Sequence, residues 1–270
     1  MSPAAARADA VLRTEGLSVR YGGVHALENV DVEVREGQLV GLIGANGAGK
    51  TTFIDAIGGF TESRGRVTLR GVEISGLAAH RRAGRGLART WQSTDLFDDL
   101  SVRENLTVAC GLPRFSRLLR ALLTGRAIDD AGVDDALGLL GIAALAPELP
   151  ANLTLGQRKL VGVGRALAAR PQLLCLDEPA AGLDAEESRT FGARLREVVA
   201  GGTTTLLIDH DMNLVLGICD YVYVLDFGVV IAHGTPGEVR VDQKVIAAHL
   251  GQPAGGSGPG VGGDSTGGEP

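Results

Sequence analysis

The sequence predicts an α/β fold with a parallel sheet at its centre, and two observations carry the prediction. Short apolar runs, typical of strands that are buried on both faces, recur along the chain. Stretches with apolar residues at helical spacing alternate with these runs, as they do in α/β proteins. The composition, 44% hydrophobic and 21% charged over 270 residues, is that of an ordinary globular protein.

The first segments predict an antiparallel β subdomain at the N-terminus. Apolar residues alternate there with polar or small ones, which is the pattern of strands with one buried face. The alternating apolar residues are Leu17, Val19 and Tyr21, followed by Val30, Val32 and Val34. A later hairpin is predicted from Val67 and Leu69, a turn at Gly71, and a return through Val72 and Ile74.

The parallel core is predicted from four apolar runs, at residues 38–43, 173–176, 203–208 and 221–225. The first run leads into a glycine-rich loop and a helix over 51–57, and the second follows a helix that Pro171 ends. One face of that helix carries Leu160, Gly164 and Leu167. Leucine and alanine at helical spacing predict an inserted α-helical subdomain at about 95–150, and we expect the glycine-rich segment 251–270 to be a disordered tail.

Charge and composition narrow the possible partners. A net charge of −6 argues against nucleic acid, because binding to its phosphates depends on Lys and Arg. No apolar run approaches the roughly 20 residues of a membrane-spanning helix, and the first ten residues lack the apolar core of a signal peptide. The three cysteines, Cys110, Cys175 and Cys219, lack metal-ligand spacing and suit a reducing compartment. We therefore expect a cytoplasmic protein that is soluble by itself.

Residues 44–51 satisfy the pattern G-x-x-x-x-G-K-[ST], which binds nucleotide phosphates. Glycines let successive backbone N–H groups converge on phosphate oxygens, and the following helix adds the positive end of its dipole. Lys50 is expected to neutralise the β- and γ-phosphates, and the Thr51 hydroxyl to bind Mg²⁺. The predicted strand before the loop and helix after it favour a P-loop NTPase (RecA-like) core over a glycine turn that binds nothing. The residues expected to contact nucleotide here are Gly44, Asn46, Gly47, Ala48, Gly49, Lys50, Thr51 and Thr52.

Two acidic residues, Asp177 and Glu178, end the apolar run at 173–176. Carboxylates at the C-terminal end of a buried strand lie where α/β sheets bind ligands. Asp177 is expected to hold Mg²⁺ through water, and Glu178 to polarise an attacking water as a general base, a role worth about 10²- to 10⁴-fold in rate. Taken alone, such a pair more often opens a loop, here before Pro179. Its combination with the phosphate-binding loop favours catalysis.

Two further features allow both a structural and a functional interpretation. Thr154 and Gln157 have the spacing of a capping box, and a capped helix N-terminus near Gly156 is also a site for anions. His210 follows the strand predicted at 203–208. A lone histidine is more often structural, but the end of such a strand favours a place in the active site.

In this order the motifs resemble those of one family, the ATP-binding subunits of ABC transporters. The resemblance covers about residues 12–250, which we take as one ATP-binding domain. The family's motifs are an aromatic that stacks on adenine, Walker A, Q-loop, signature, Walker B, D-loop and H-loop. The corresponding positions, besides the Walker A loop at 44–51, are Tyr21, Gln92, the signature at 153–157, Asp177 with Glu178, the D-loop Gly182-Leu183-Asp184, and His210.

Several stretches are similar, within that family, to importers of branched-chain amino acids: residues 88–92, 180–183, 208–212, 224–228 and 234–251. The usual signature is L-S-G-G-Q; here Thr154 keeps the hydroxyl of the serine, whereas Leu155 replaces the first glycine. Leu155 is expected to alter either the γ-phosphate geometry or the surface of the helical subdomain. Trp91 stands in place of the commoner phenylalanine, and Asp184 keeps the usual acid of the D-loop.

The resemblance implies a head-to-tail dimer, with a second copy or a paralogue, that clasps ATP and Mg²⁺ between its subunits. One half-site would consist of Lys50, Thr51, Gln92, Asp177, Glu178 and His210. Catalytic roles fall to Lys50, Gln92, Glu178 and His210, and magnesium contacts to Thr51, Gln92 and Asp177. The other half-site would consist of Thr154, Gly156 and Gln157, and Asp184 is also expected to contact nucleotide.

The resemblance also implies a peripheral subunit on the cytoplasmic face of the membrane, whose helical subdomain docks on two permease subunits. A solute-binding protein would act indirectly. The expected function is ATP hydrolysis that drives import of branched-chain amino acids. The alternatives are the same role in an importer of urea or amides, a soluble ABC ATPase without a membrane partner, a P-loop GTPase or kinase, and a regulator that binds ATP without turnover. The chain has no N-K-x-D motif for reading guanine, which argues against a GTPase.

Overall fold

A computed structural model describes residues 10–90, 95–110 and 131–250. The strands are β1 (Ala10–Tyr21), β2 (Val24–Val30), β3 (Glu33–Arg35), β4 (Leu39–Ile43), β5 (Arg64–Leu69), β6 (Val72–Glu73), β7 (Leu87–Arg89), β8 (Leu173–Asp177), β9 (Thr205–Ile208), β10 (Tyr221–Asp226) and β11 (Val229–Gly234). The helices are α1 (Lys50–Gly58), α2 (Ala79–Ala83), α3 (Val102–Ala109), α4 (Ala131–Leu139), α5 (Leu155–Ala168), α6 (Ala185–Ala200), α7 (Met212–Ile218), α8 (Pro236–Val241) and α9 (Gln243–Leu250). Trp91, Gln92 and the predicted tail at 251–270 lie outside the described residues.

The larger sheet has the strand order β11-β10-β4-β9-β8-β7. Its strands pair in parallel, except β11, which is antiparallel to β10. Every residue of β4, β8 and β9 is buried, because the sheet is covered on both faces. Leu39 and Ile43 pack into one hydrophobic cluster, while Val40 and Leu42, which point the other way, pack into a second. The predicted α/β fold with a parallel core is confirmed.

The smaller sheet, β2-β1-β5-β6 with β3 also paired to β1, is antiparallel. The predicted alternation through Val30, Val32 and Val34 does not form one strand. The hydroxyl of Thr14 donates to the carbonyl oxygen of Val30 at 3.0 Å and accepts the N–H of Val32 at 2.8 Å. Because this side chain takes the place of ladder hydrogen bonds, β2 ends at Val30 and a separate β3 begins at Glu33.

Helices α3 and α4 both pack on α5 in the region predicted to be the helical subdomain. Gly164 of α5 allows this close packing. A Cβ at that position would lie 3.1 Å from the side chain of Leu140 and 3.3 Å from that of Leu106. The packing fixes the direction of α5, whose N-terminus carries the signature residues, while its body contacts β7 and β8 of the core sheet.

Candidate nucleotide-binding site

The glycine-rich loop at 44–49 joins the buried strand β4 to α1 and wraps around the amine of Lys50. The amine is buried, and its Nζ donates to the carbonyl oxygens of Gly44 at 2.7 Å and Ala45 at 3.0 Å. Gly49, the residue before α1, has φ of 106°, and a Cβ there would lie 2.7 Å from the carbonyl oxygen of Ala26. The loop therefore requires glycine at this position. Asn46 stays exposed at the tip of the loop.

Three further residues predicted to contact nucleotide lie outside this loop. Thr51 is exposed in the first turn of α1, directly after Lys50, and Thr52 is half-buried beside it. Tyr21, at the end of β1, is 52% exposed, and its hydroxyl lies 3.1 Å from Oγ1 of Thr61. The ring of Tyr21 is thus available for stacking.

The Asp177 carboxylate lies at the C-terminal end of β8, and it is buried. Its Oδ2 accepts a hydrogen bond of 2.9 Å from Nη2 of Arg89, and Arg89 also forms an ion pair with Asp55 of α1. Burial raises the pKa of Asp177, and the hydrogen bond and charge of Arg89 oppose that rise. The sequence analysis did not single out Arg89. The available signal was its place three residues before Gln92.

Glu178 and His210 are brought together by the ends of two neighbouring strands. The N–H of Glu178 donates to the carbonyl oxygen of Ile208 at 2.7 Å, which ties the end of β8 to the end of β9. Oε2 of Glu178 lies 3.6 Å from Nδ1 of His210. Glu178 has φ of 44°, a left-handed conformation that costs energy for a residue other than glycine and is typical of functional sites.

Asp209 is a second residue that the sequence analysis missed. It lies between Ile208 and His210, and it is only 1% exposed. Burial raises its pKa, because an ionised carboxylate is poorly solvated there. The sequence held one signal for it, an acidic residue directly after a buried strand.

The signature residues begin α5. The Thr154 hydroxyl accepts the N–H of Gln157 at 3.3 Å, and Oε1 of Gln157 accepts the N–H of Thr154 at 2.9 Å, so the predicted capping box is confirmed. Leu155 is 43% exposed, and Cδ2 of its side chain would lie 3.5 Å from a Cβ placed on Gly182. The residue that departs from the family signature thus packs beside the D-loop of its own chain.

Asp184 is expected to contact nucleotide, and in the structure its side chain caps a helix. It is the N-cap of α6, where its Oδ1 accepts the N–H groups of Glu186 and Glu187, both at 2.8 Å. This capping orients the start of α6 directly after the D-loop. Contact of Asp184 with nucleotide stays a prediction.

The oxygen donors of this site fit an Mg²⁺ ion that binds together with a nucleotide. The described residues contain no group of three or more His, Cys, Asp or Glu able to hold a metal by themselves. Mg²⁺ needs no such cage, because it keeps several waters and binds one or two protein oxygens together with phosphates. The Asp177 carboxylate and the Thr51 hydroxyl supply oxygens of that kind, and Gln92 lies outside the described residues.

Two family models match this chain. One, described as ABC transporter, matches residues 27–181. The chain belongs to the ABC transporter family. A second, described as branched-chain amino acid ATP-binding cassette transporter, matches residues 229–254. The family recognised from the motifs is confirmed.

Individual relatives agree with this assignment. The high-affinity branched-chain amino acid transport ATP-binding protein LivG of Salmonella typhimurium is 40% identical over 253 residues, which cover 90% of this chain and 98% of LivG. BraF of Pseudomonas aeruginosa, with the same description, is 36% identical over 250 residues, 90% of this chain and 98% of BraF. A crystal structure of a nucleotide-free ATP-binding cassette from an ABC transporter has a TM-score of 0.76 and 30% identity, and the alignment covers 90% of this chain and 100% of that one.

Membership of the ABC family settles several expectations. The chain binds and hydrolyses ATP as a subunit of a transporter, which confirms the predicted ATPase activity and excludes a P-loop GTPase or kinase. Such a subunit works with a second ATP-binding subunit and with membrane permeases. None of the helices in the described ranges is both long and apolar enough to cross a bilayer.

Proposed function

We propose that this chain hydrolyses ATP to drive the import of branched-chain amino acids, as one half of a head-to-tail dimer on two permease subunits. The observation that carries the proposal is the convergence of Lys50, Asp177, Glu178 and His210 on one edge of the core sheet, in a chain similar to LivG over nearly its full length. The ends of β4, β9 and β8 lie side by side, since Leu42 pairs with Ile208 and Ile208 with Asp177. Burial lowers the pKa of Lys50, and the charges of Glu178, Asp209 and Asp177 oppose that shift.

The chemistry follows from these positions. The amine of Lys50 binds the β- and γ-phosphates, and Thr51 and Asp177 supply oxygens for Mg²⁺, which would neutralise phosphate charge when bound. Glu178 accepts the proton of the attacking water, and His210 contacts the γ-phosphate and orients that water. Gln92, which also contacts Mg²⁺, relays the state of the nucleotide to the helical subdomain.

In this proposal, the partner subunit contacts the other side of each ATP. The exposed N-terminus of α5, with Thr154, Gly156 and Gln157, presents N–H groups and the positive end of the helix dipole. A γ-phosphate held from both sides closes the dimer, and its release after hydrolysis lets the dimer open. The partner is a second copy of this chain or a paralogue.

A cavity of about 420 Å³ supports the place proposed for the permeases. It lies between the core and the helical region, and apolar side chains form most of its lining. Ala79, Ala83, Leu87, Val163 and Ala166 are among them. A short helix in a cytoplasmic loop of a permease would bury its apolar side chains there.

The decisive experiment is transport by the purified complex in liposomes. The chain is purified together with the two permease subunits with which it assembles, the solute-binding protein is added, and ATP-driven uptake of leucine is compared with that of urea and acetamide. We expect leucine uptake about tenfold or more above that of either competitor. The solute site of such a transporter lies outside this chain, and a site built for an apolar side chain discriminates at this scale. Lys50→Met is expected to abolish uptake, whereas Lys244→Met, on the exposed surface of α9, is expected to retain it.

Two outcomes would replace this proposal. Preferential uptake of urea or acetamide would assign the chain to the amide importers. ATP hydrolysis without any co-purifying permease would favour an ABC ATPase that works without a membrane partner.

A further inference from the structure

The hairpin turn between β10 and β11 lies against the phosphate-binding loop. Asp226 pairs with Val229, so the turn consists of the two residues Phe227 and Gly228. Both have positive φ, 42° and 81°, as the residues of a type I′ turn do. The turn belongs to the stretch 224–228, which the sequence analysis singled out and to which the proposed function gives no role.

Gly228 connects the phosphate-binding loop to β2 through its backbone. Its N–H donates to the carbonyl oxygen of Ala48 at 2.9 Å, and its own carbonyl oxygen accepts the N–H of Glu28, also at 2.9 Å. A Cβ at Gly228 would lie 2.6 Å from the carbonyl oxygen of Ala26. A larger residue therefore fits here only if the turn moves away from β2.

Strand β10 also limits the space at both ends of the loop. A Cβ on Gly44, at the start of the loop, would lie 2.2 Å from the carbonyl oxygen of Leu225. A Cβ on Gly49, at its end, would lie 3.2 Å from the Leu225 side chain and 2.7 Å from the carbonyl oxygen of Ala26 in β2. The loop is thus enclosed between β2 and the β10–β11 hairpin, and Gly228 joins these two walls.

We propose that Gly228 is a positioning residue of the phosphate-binding loop. By holding the carbonyl group of Ala48, it keeps the backbone of the loop in the conformation whose N–H groups bind phosphate. A loop that is ordered before the nucleotide arrives loses less entropy on binding, so this contact strengthens the binding of ATP. The inference rests on the role of the loop in the proposed function.

The position of the turn in the sheet predicts which step depends on Gly228. Glu178 and His210 follow β8 and β9, whereas the turn follows β10, and β4 lies between β10 and β9 in the strand order. The turn is therefore on the opposite side of the loop from the groups proposed to act on water. A displaced turn should weaken the binding of phosphates and leave the hydrolytic step nearly unchanged.

Hydrogen–deuterium exchange of the nucleotide-free chain tests the positioning directly. Gly228→Ala moves the turn away from Ala26 and weakens the hydrogen bond to Ala48. We expect the peptide that covers residues 44–49 to exchange about fivefold faster than in the wild type, the scale of one lost hydrogen bond. Phe227→Asn is the matched control and should exchange as the wild type does, because asparagine suits this turn and the Phe227 side chain is 85% exposed. Unaltered exchange in Gly228→Ala would overturn the inference.

Steady-state ATP hydrolysis separates positioning from a merely structural role. Phosphate contacts of the loop are made in the ground state and in the transition state, so their loss raises KM without lowering kcat. We expect Gly228→Ala to raise KM for ATP about five- to tenfold, with kcat within about twofold of wild type. A merely structural glycine would give the opposite result, because a smaller folded fraction lowers kcat per mole of chain at constant KM. That outcome would refute the positioning role.

A second pair of variants decides the matter if Gly228→Ala does not fold. Glu28→Pro removes the N–H that donates to Gly228, and β2 lies at the end of its sheet, where proline is tolerated. Glu28→Ala removes the same exposed side chain but keeps the N–H. We expect KM for ATP to rise about threefold in Glu28→Pro and to stay unchanged in Glu28→Ala. Equal KM values in the two variants would contradict the inference.

The variant Lys50→Met distinguishes a failure of this inference from a failure of the proposed function. If Lys50→Met binds ATP as the wild type does, the proposed role of the loop fails, and with it the role of Gly228. If Lys50→Met loses ATP binding while Gly228→Ala keeps the wild-type KM, the present inference alone fails.

Discussion

Nη2 of Arg89 donates a hydrogen bond of 2.9 Å to Oδ2 of Asp177, and both side chains are more than nine-tenths buried. Arg89 also binds Asp55, so one guanidinium joins the edge strand β7, the end of β8 and the helix that follows the phosphate-binding loop. The orientation of the carboxylate proposed to hold Mg²⁺ is therefore set by a residue that itself contacts neither metal nor nucleotide in this scheme.

Replacing Arg89 with methionine tests this arrangement. The variant leaves the Asp177 charge buried without its cation, and breaking a buried pair in this way costs about 3–5 kcal/mol. We expect a loss of that size in the free energy of unfolding, measured by urea denaturation.

Arg170→Met is the matched control for Arg89. Arg170 pairs with Asp135 at 2.6 Å, but both side chains are 60% exposed. Exposed pairs contribute about 0–1 kcal/mol, so this variant should unfold nearly as wild type does. Equal losses in the two variants would contradict the role assigned to burial at Arg89.

Glu178→Gln tests the general base. The amide cannot accept a proton from water, so we expect hydrolysis to fall by about 10²- to 10⁴-fold. ATP binding is expected to persist, because the loop around Lys50 is untouched, and the variant should accumulate as a closed dimer in gel filtration with ATP. Phosphate release and calorimetry measure the two quantities. Glu186→Gln, on the exposed start of α6, is the control, and wild-type turnover in Glu178→Gln would refute the assignment.

The parts of the fold that were predicted correctly are those with a local signal. The strands β4, β8, β9 and β10 are apolar runs, and the capping box of Thr154 and Gln157 is a spacing of three residues. The edge strand β7 spans only Leu87–Arg89, too short for a periodicity to stand out, and the sequence analysis missed it.

The residues that were missed in the site act over long sequence separations. Arg89 and Asp177 are 88 positions apart, and no local pattern tells which acid an arginine binds. Asp209 looks like an ordinary polar residue beside a known motif, and only the packing of the folded chain buries it. The break between β2 and β3 has the same origin, since Thr14 replaces backbone hydrogen bonds from another strand.

The three cysteines are expected to differ sharply in reactivity. Burial raises the pKa of Cys175 to about 12 and also raises that of Cys219, so both remain protonated thiols shielded from reagents at neutral pH. Cys110 is exposed. An aromatic disulfide reagent should therefore titrate one thiol in the folded chain and three in denaturant, and Cys110→Ser should remove the fast one. Rapid reaction of a second thiol in the native protein would contradict the burial of Cys175 and Cys219.

Asp209→Asn is expected to stabilise the fold. Burial raises the pKa of Asp209 in the folded state above its unfolded value, so the fold favours the protonated form. The penalty on the ionised form is absent below the unfolded pKa of about 3.9, grows as the pH rises, and is complete above the folded pKa. The neutral amide escapes this penalty, and we expect about 1 kcal/mol of added stability at pH 7, the scale of an unsatisfied buried group. Urea denaturation from pH 7 down to about pH 3.5 measures the difference, which should shrink toward acid as Asp209 of the wild type becomes protonated. A gain that stays constant over this range would show that the amide acts through packing and not through charge.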